Sequence, residues 1–104
     1  MDHARAADAL DRTIRTIGQV EVDGAQYAFQ YCNVAIVAPS TGLPMRAEYT
    51  VVSNGRTYAR GVTFDVDGQD IYANIGADRV NINGPEFADA VRKHLVVTIR
   101  TGAK

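Results

Sequence analysis

Residues Met45 to Ile75 read MRAEYTVVSNGRTYARGVTFDVDGQDIYANI, and this stretch decides the fold. Asn54-Gly55 and Asp67-Gly68 are the dipeptides that most readily form two-residue type I′ turns, because both central positions of such a turn need a positive φ. The stretch therefore predicts three strands joined by two tight turns.

Each predicted turn also fixes which residues face each other across the strands. The first loop places Met45 opposite Phe64, and the second places Phe64 opposite Ile71. Because side chains alternate across a strand, the two registers collect one apolar face and one polar face. The apolar face holds Met45, Ala47, Tyr49, Val51, Tyr58, Val62, Phe64, Ile71, Ala73 and Ile75. The polar face holds Arg46, Glu48, Thr50, Thr57, Thr63, Asp65, Asp70 and Asn74.

The segments before the meander predict a helix and a hairpin. Apolar residues recur at helical steps over residues 3–17, and Gly18 is a typical stop. Asp23-Gly24 is a third turn signal, placed between a short strand and a long strand from Ala25 to Val37. The apolar alternation of the long strand changes phase near Cys32-Asn33, which predicts a bulge or a strand end buried on both faces.

The segment after the meander predicts a brief strand with Val80 and Ile82 on one side and then a second helix. Proline suits the first turn of a helix, so this helix begins near Pro85. The stretch from Val96 to Thr101 is rich in β-branched residues and fits either a last strand or the end of the helix.

These elements predict a single α+β domain over residues 1–104. We expect a mostly antiparallel sheet of about five to six strands, formed by a hairpin and a three-stranded meander, with an N-terminal and a C-terminal helix. Small side chains at Ala59 and Gly61 leave a flat patch on the polar face of the sheet. A helix that covers this patch is the expected arrangement, and an exposed interface is the alternative.

Composition restricts the class of protein. The chain has 104 residues, is 46% hydrophobic and 22% charged, and carries a net charge of -1, so it resembles an ordinary globular domain with no bulk attraction to nucleic acid or membranes. Cys32 is the single cysteine and cannot form an internal disulfide. We expect a soluble, cytoplasmic protein, and the excess of arginine over lysine is typical of bacteria and phages with GC-rich genomes.

Three acidic residues around the second turn are weak candidates for a cation site. Asp65, Asp67 and Asp70 surround a glycine, but their spacing does not match a calcium loop. The predicted register places Asp65 opposite Asp70, with Arg46 positioned to offset this like-charge pair. We therefore expect a solvated hairpin turn and no metal site.

Basic and aromatic residues alternate in the middle strand of the meander. Arg56, Tyr58 and Arg60 lie on one side of it, a pattern typical of surfaces that bind single-stranded nucleic acid or an anion. The same three residues, with Leu43 in the preceding loop, are candidates for contact with a protein partner. The structural interpretation, which we favour, is that Arg60 covers Tyr49 with its aliphatic stem and reaches a carboxylate.

No pattern of residues indicates catalysis or a cofactor. Cys32 lies in an apolar strand and is expected to be buried and inert, and neither His3 nor His94 belongs to a metal-binding pair. A small enzyme or ligand carrier would need a pocket near His94, with Cys32 and Tyr31 as further members.

The sequence therefore favours a non-enzymatic binding module that acts through protein–protein contacts, without a cofactor or membrane. Such a module would be a bacterial or phage-encoded inhibitor or adaptor, or a protein that self-associates through an edge strand into a homo-oligomer. The alternatives are a nucleic-acid or anion binder and a small enzyme or ligand carrier.

Overall fold

A computed structural model describes residues 2–37 and 45–102 of the chain and confirms the α+β class. Within these residues the protein contains two helices and seven strands. In chain order they are α1 (Asp2–Ile17), β1 (Gln19–Val22), β2 (Ala25–Ala28), β3 (Tyr31–Val37), β4 (Met45–Ser53), β5 (Arg56–Asp67), β6 (Asp70–Ile75), β7 (Asp78–Asn81) and α2 (Phe87–Thr101). The strands form a two-stranded sheet, β1-β2, and a five-stranded antiparallel sheet in the order β3-β4-β5-β6-β7.

The first turn of the meander confirms the predicted register. Asn54 and Gly55 both have positive φ, 54° and 77°, as a type I′ turn requires. Ser53 lies opposite Arg56, and the pairing continues to the start of β4 without a slip. The turn thus determines how the two longest strands of the sheet align.

The second turn of the meander differs from the prediction. Asp67 lies opposite Asp70, so the two loop residues are Gly68 and Gln69. Gly68 has a φ of 66° and Gln69 has no positive φ, a pattern typical of type II′ turns, which place glycine at the first central position. The loop therefore consists of Gly68 and Gln69 and lies one residue further along the chain than the predicted loop, Asp67-Gly68.

This later loop shifts the register between β5 and β6. Phe64 lies opposite Ala73, whereas the sequence predicted Ile71. A shift of this size preserves the alternation of faces, because side chains repeat with a period of two. The predicted apolar face is therefore buried despite the wrong register, with every one of its residues at most 6% exposed.

Both helices pack on this apolar face. α1 contacts β3 and β4, whereas α2 contacts β5, β6 and β7. The side chains buried most deeply in the helices include Leu10 and Ile14 in α1 and Val91 and Leu95 in α2. The core is thus a single layer between the sheet and the two helices.

The prediction that a helix covers the polar face near Ala59 and Gly61 is wrong. The side chain of Arg46 lies over Gly61, in the space that a Cβ atom would need, and Arg46 forms an ion pair with Glu48 at 3.3 Å. Each helix has one apolar stripe, and the sheet has one apolar face to receive both. The side chain of Arg46, from the neighbouring strand β4, therefore covers Gly61 instead of a helix.

The predicted long strand is divided into β2 and β3. The Gln30 N–H donates a hydrogen bond to the Val52 carbonyl at 2.8 Å, and Tyr31 also lies opposite Val52. Two residues thus face one, which is a β-bulge located slightly earlier in the chain than predicted. This break separates the β1-β2 hairpin from the large sheet and explains why there are more strands than expected.

The second helix continues to Thr101, which decides between the two alternatives for the end of the chain. Thr98 and Ile99 are buried on its inner side. The helix ends at Gly102, which has a φ of 112° and donates its N–H to the Ile99 carbonyl at 3.2 Å. Packing of this last segment against the core outweighs its β-branched composition.

Candidate functional site

Strand β3 forms one edge of the five-stranded sheet and pairs only with β4 among the described strands. Its seven residues, YCNVAIV, include no charged residue and no proline. Tyr31, Ile36 and Val37 are large apolar side chains that are 56%, 41% and 38% exposed. Edge strands usually carry charges, prolines or bulges that discourage pairing with another chain, and the body of β3 has none of these.

The directions of the backbone groups in β3 follow from the first turn of the meander. Ser53 and Arg56 close a two-residue loop, so the odd-numbered residues of β4 bond to β5 and its even-numbered residues bond to β3. The even-numbered residues of β4 lie opposite the odd-numbered residues of β3. The N–H and C=O groups of Cys32, Val34 and Ile36 therefore point away from the sheet.

One of these outward groups already has a partner on α1. The Arg15 guanidinium donates a hydrogen bond to the Cys32 carbonyl at 2.7 Å, and it also pairs with Asp11 at 3.0 Å. Cys32 is 5% exposed, and burial, with a further contribution from Asp11, raises the pKa of its thiol to about 11. Cys32 is thus a buried thiol, as predicted, and the thiolate form is suppressed at neutral pH.

The predicted surface of Arg56, Tyr58 and Arg60 is not continuous. Tyr58 is 3% exposed and packs edge-on against Tyr27 with ring centroids 6.4 Å apart, so its ring does not offer a face for stacking. Arg56 and Arg60 are exposed on either side of it. Leu43, the fourth candidate, lies outside the described residues.

The acidic turn has a different arrangement from the predicted one. Asp65 lies opposite Tyr72 and pairs with Arg79 at 2.6 Å, so Arg79 and not Arg46 neutralises it. This contact, together with a hydrogen bond from Asn74, lowers the pKa of Asp65. Arg79 also lies over the Tyr72 ring, 4.0 Å from its centroid.

Asp67 and Asp70 form the like-charge pair at the end of the β5-β6 hairpin, and both are exposed. Across residues 2–37 and 45–102, no three His, Cys, Asp or Glu side chains are grouped closely enough to hold a metal ion.

His94 belongs to a buried polar network that the sequence did not predict. The Tyr49 hydroxyl lies 3.1 Å from His94 Nδ1 and 2.6 Å from Thr98 Oγ1. Burial lowers the pKa of His94 to about 4, with a smaller contribution from the positive charge of Arg60, and burial raises the pKa of Tyr49 to about 12. At neutral pH all three side chains are therefore uncharged.

His94 also lines a small cleft of about 150 Å³ at the β7 side of the sheet. Cys32 and Tyr31 line a separate cleft of about 200 Å³ beneath β3. The structure thus places a cleft beside His94, but it does not bring His94 together with Cys32 and Tyr31.

Sequence reasoning missed the two most informative groups of residues. The absence of charge in YCNVAIV is visible in the sequence, and it could have identified β3 as an unprotected edge once its position was known. The contact of Tyr49 with His94 and Thr98 joins residues more than forty positions apart, and no local pattern reports it.

Comparisons with family models, curated proteins and solved structures found no match to this chain. Within the described part of the chain, neither helix has the length and apolar composition needed to cross a membrane.

Proposed function

We propose that this chain is a non-enzymatic protein-binding module that pairs the outer edge of β3 with β3 of a second copy. The observation that carries this proposal is the seven-residue edge strand without charge or proline. Its outward backbone groups at Val34 and Ile36 have no protein partner within the described residues. Strand addition satisfies such groups with main-chain hydrogen bonds.

The spacing of the outward groups sets a geometry for the dimer. An antiparallel pair centred on Val34 places this residue opposite Val34 of the second copy and places Cys32 opposite Ile36. Each of these pairs exchanges two backbone hydrogen bonds. The Cys32 carbonyl accepts one of them beside its bond from Arg15, because a carbonyl oxygen has two lone pairs.

A second copy suits this edge better than a charged partner strand. The strand brings no like-charge repulsion when it meets itself, and the whole chain carries a net charge of only -1. Pairing also removes part of Ile36 and Val37 from water. The resulting interface is symmetric, and each copy uses the same residues.

We further propose that the dimer acts by binding another protein. An inhibitor or adaptor of bacterial or phage origin, acting in the cytoplasm, is consistent with the arginine-rich composition and with one buried cysteine in place of disulfides. As an inhibitor or adaptor, the dimer would bind a second, different protein.

Size-exclusion chromatography with light scattering tests the pairing. The purified chain is expected to have the mass of a dimer at micromolar concentration. Val34→Pro removes an outward N–H without removing a bond to β4, so this variant is expected to be a folded monomer by circular dichroism. Val34→Thr keeps the N–H and the β-branched shape, and it is the matched control that remains dimeric. A monomeric wild-type protein at all concentrations up to about 100 µM would contradict the proposal.

A further inference from the structure

The cleft beside His94 has a different chemistry from the β3 edge. It is lined by Arg60 of β5, Asp78 at the start of β7, the turn at Gly76 and Ala77, and α2 residues that include Lys93 and His94. Its volume is about 150 Å³. At roughly 30 Å³ for each water-sized unit, this space holds about five non-hydrogen atoms.

The hydrogen-bond network assigns the tautomer of His94. Thr98 Oγ1 lies 2.8 Å from the His94 carbonyl, which only accepts, so the Thr98 hydroxyl hydrogen is used there. The Tyr49 hydroxyl therefore donates to Thr98 Oγ1, and the Tyr49 oxygen accepts from His94 Nδ1–H. The lone pair of the neutral ring is then on Nε2.

His94 Nε2 is available to a ligand. It makes no hydrogen bond to any described residue, and unlike the Ser53 hydroxyl it is not sealed from solvent. His94 is only 8% exposed, and it lines the cleft. His94 thus lines a space of small-molecule size and keeps one acceptor nitrogen without a hydrogen-bond partner among the described residues.

Two positively charged residues that line this cleft, Arg60 and Lys93, differ from most arginines of the protein in their lack of a carboxylate partner within residues 2–37 and 45–102. Arg12, Arg15, Arg46, Arg79, Arg92 and Arg100 all form ion pairs with acidic residues. Among the described residues, neither Arg60 nor Lys93 has such a partner, and Arg60 makes one long hydrogen bond, 3.4 Å, to the Thr101 hydroxyl. The expected carboxylate contact of Arg60 is therefore absent from the described part of the chain.

We infer that this cleft binds a small carboxylate that carries a hydroxyl group on the adjacent carbon. The carboxylate pairs with Arg60 and Lys93, and the hydroxyl donates to His94 Nε2. The three charged residues on the cleft are Arg60, Lys93 and Asp78, and their charges sum to one positive charge, which complements a monoanion. Glycolate has the size and both functional groups. This site is independent of the proposed pairing of β3.

Titration with sodium glycolate, followed by amide chemical shifts of the ¹⁵N-labelled protein, tests the inference. Saturable shifts at Gly76 and Ala77 are expected, with a dissociation constant on the order of 1 mM for so small a ligand. Sodium chloride at the same ionic strength controls for screening and is expected to give no saturable shifts. Absence of saturation by roughly 50 mM glycolate would overturn the inference.

Matched charge variants locate the site. Arg60→Gln is expected to weaken glycolate binding about tenfold, because a charge-assisted hydrogen bond is lost. Arg56 is the other exposed arginine of β5, and it does not line the cleft. Arg56→Gln is therefore expected to leave the affinity for glycolate unchanged. Equal losses in the two variants would mean that only general electrostatic attraction acts, and the site would be refuted.

Ligand variants test the role of His94. Acetate has the same charge without the hydroxyl, and the wild-type protein is expected to bind it about tenfold more weakly than glycolate. His94→Phe is expected to abolish this difference while acetate still binds. Equal affinities for acetate and glycolate in the wild-type protein would overturn the inference, whether or not the variant folds. Tighter binding of glycine than of glycolate would also overturn it, because the ligand would then be an amino acid.

Discussion

The two edges of the five-stranded sheet differ in the features that control strand pairing. Strand β7 has four residues, and Asp78 and Arg79 place charges of both signs on it. Strand β3 has seven residues with no charge, and apolar side chains at its far end are exposed. Natural sheets protect their edges with short strands and charges, so β7 is protected and β3 is not. The contrast indicates that the open edge is β3.

The regions beneath the two edges also differ. Under β3, α1 contributes the Asp11–Arg15 pair, whose guanidinium bonds the strand backbone at Cys32. On the β7 side, α2 contributes His94, which bonds Tyr49 inside the core and lines an open cleft. One half of the sheet thus offers backbone groups at its edge, and the other offers side chains in a pocket.

The largest expected effect comes from giving β3 the protection that β7 has. Ile36→Lys places a charge opposite Cys32 of the second copy, next to the Arg15 that bonds it, and it removes apolar contact. We expect dimerisation to weaken at least about a hundredfold, because like charges at an interface cost several kcal/mol. Sedimentation equilibrium measures this change.

Val66→Lys is the matched control for this substitution. Val66 is 45% exposed near the end of β5, away from the β3 edge. The control is expected to keep the wild-type dimerisation constant. An equal loss in both variants would show that added charge, and not the edge of β3, controls association.

The next effect concerns the buried network on the α2 side. Tyr49→Phe removes the hydroxyl that bonds His94 and Thr98 and leaves both without that partner in the core. We expect the free energy of unfolding to fall by about 1–2 kcal/mol in urea denaturation. Tyr58→Phe is the control, since the Tyr58 hydroxyl makes no hydrogen bond to described residues, and it is expected to change stability little.

The same side of the sheet also produces a pH dependence of stability through His94. Its pKa is about 4 in the folded state against 6.5 for an exposed histidine, so the unfolded chain binds a proton that the folded chain does not. The free energy of unfolding should therefore fall as the pH drops from about 6.5 to about 4, by at most about 1.4 kcal/mol per pH unit. The titratable or charged side chains that contact His94 or share its cleft are Tyr49, Arg60, Lys93 and Asp78.

His94→Gln is expected to flatten the dependence of the free energy of unfolding on pH in this range. His3 is present in both proteins, so the difference between them reports on His94. An unchanged slope between these pH values in the variant would show that His94 is not the group responsible.

The smallest effect comes from removing the protection of β7. Arg79→Val deletes a charge from that edge together with the contact to Asp65. The strand is so short that only weak additional association is expected, with a dissociation constant on the order of 1 mM or higher. Sedimentation velocity at high concentration would detect it. Association as strong as that of β3 would show that strand length does not separate the two edges.

The sequence predicted most of the sheet because turns and alternation are local properties. Asn54-Gly55 fixed the β4-β5 register, and the apolar face followed from it. Asp67-Gly68 predicted a turn at the correct place but the wrong loop, because glycine also suits the first position of a type II′ turn. A glycine preceded by Asp fits both turn types, so the dipeptide alone does not separate the two loops.

The candidate sites were less predictable because they depend on tertiary packing. The pattern of Arg56, Tyr58 and Arg60 predicted a surface, but the β1-β2 hairpin contributes Tyr27, which packs against Tyr58. Tyr49 was predicted only as a core residue, and its hydroxyl contacts depend on where α2 lies along the sheet. A single sequence does not contain that placement in any local form.

Backbone hydrogen exchange at Val34 and Ile36 tests the central claim most directly. Their N–H groups point away from β4, whereas those of Asn33 and Ala35 bond to it and provide an internal reference. We predict that exchange at Val34 and Ile36 slows as protein concentration rises, while the reference amides stay protected at every concentration. Fast exchange of both outward amides at all concentrations, in a protein whose reference amides are protected, would contradict the pairing of β3 with a second copy.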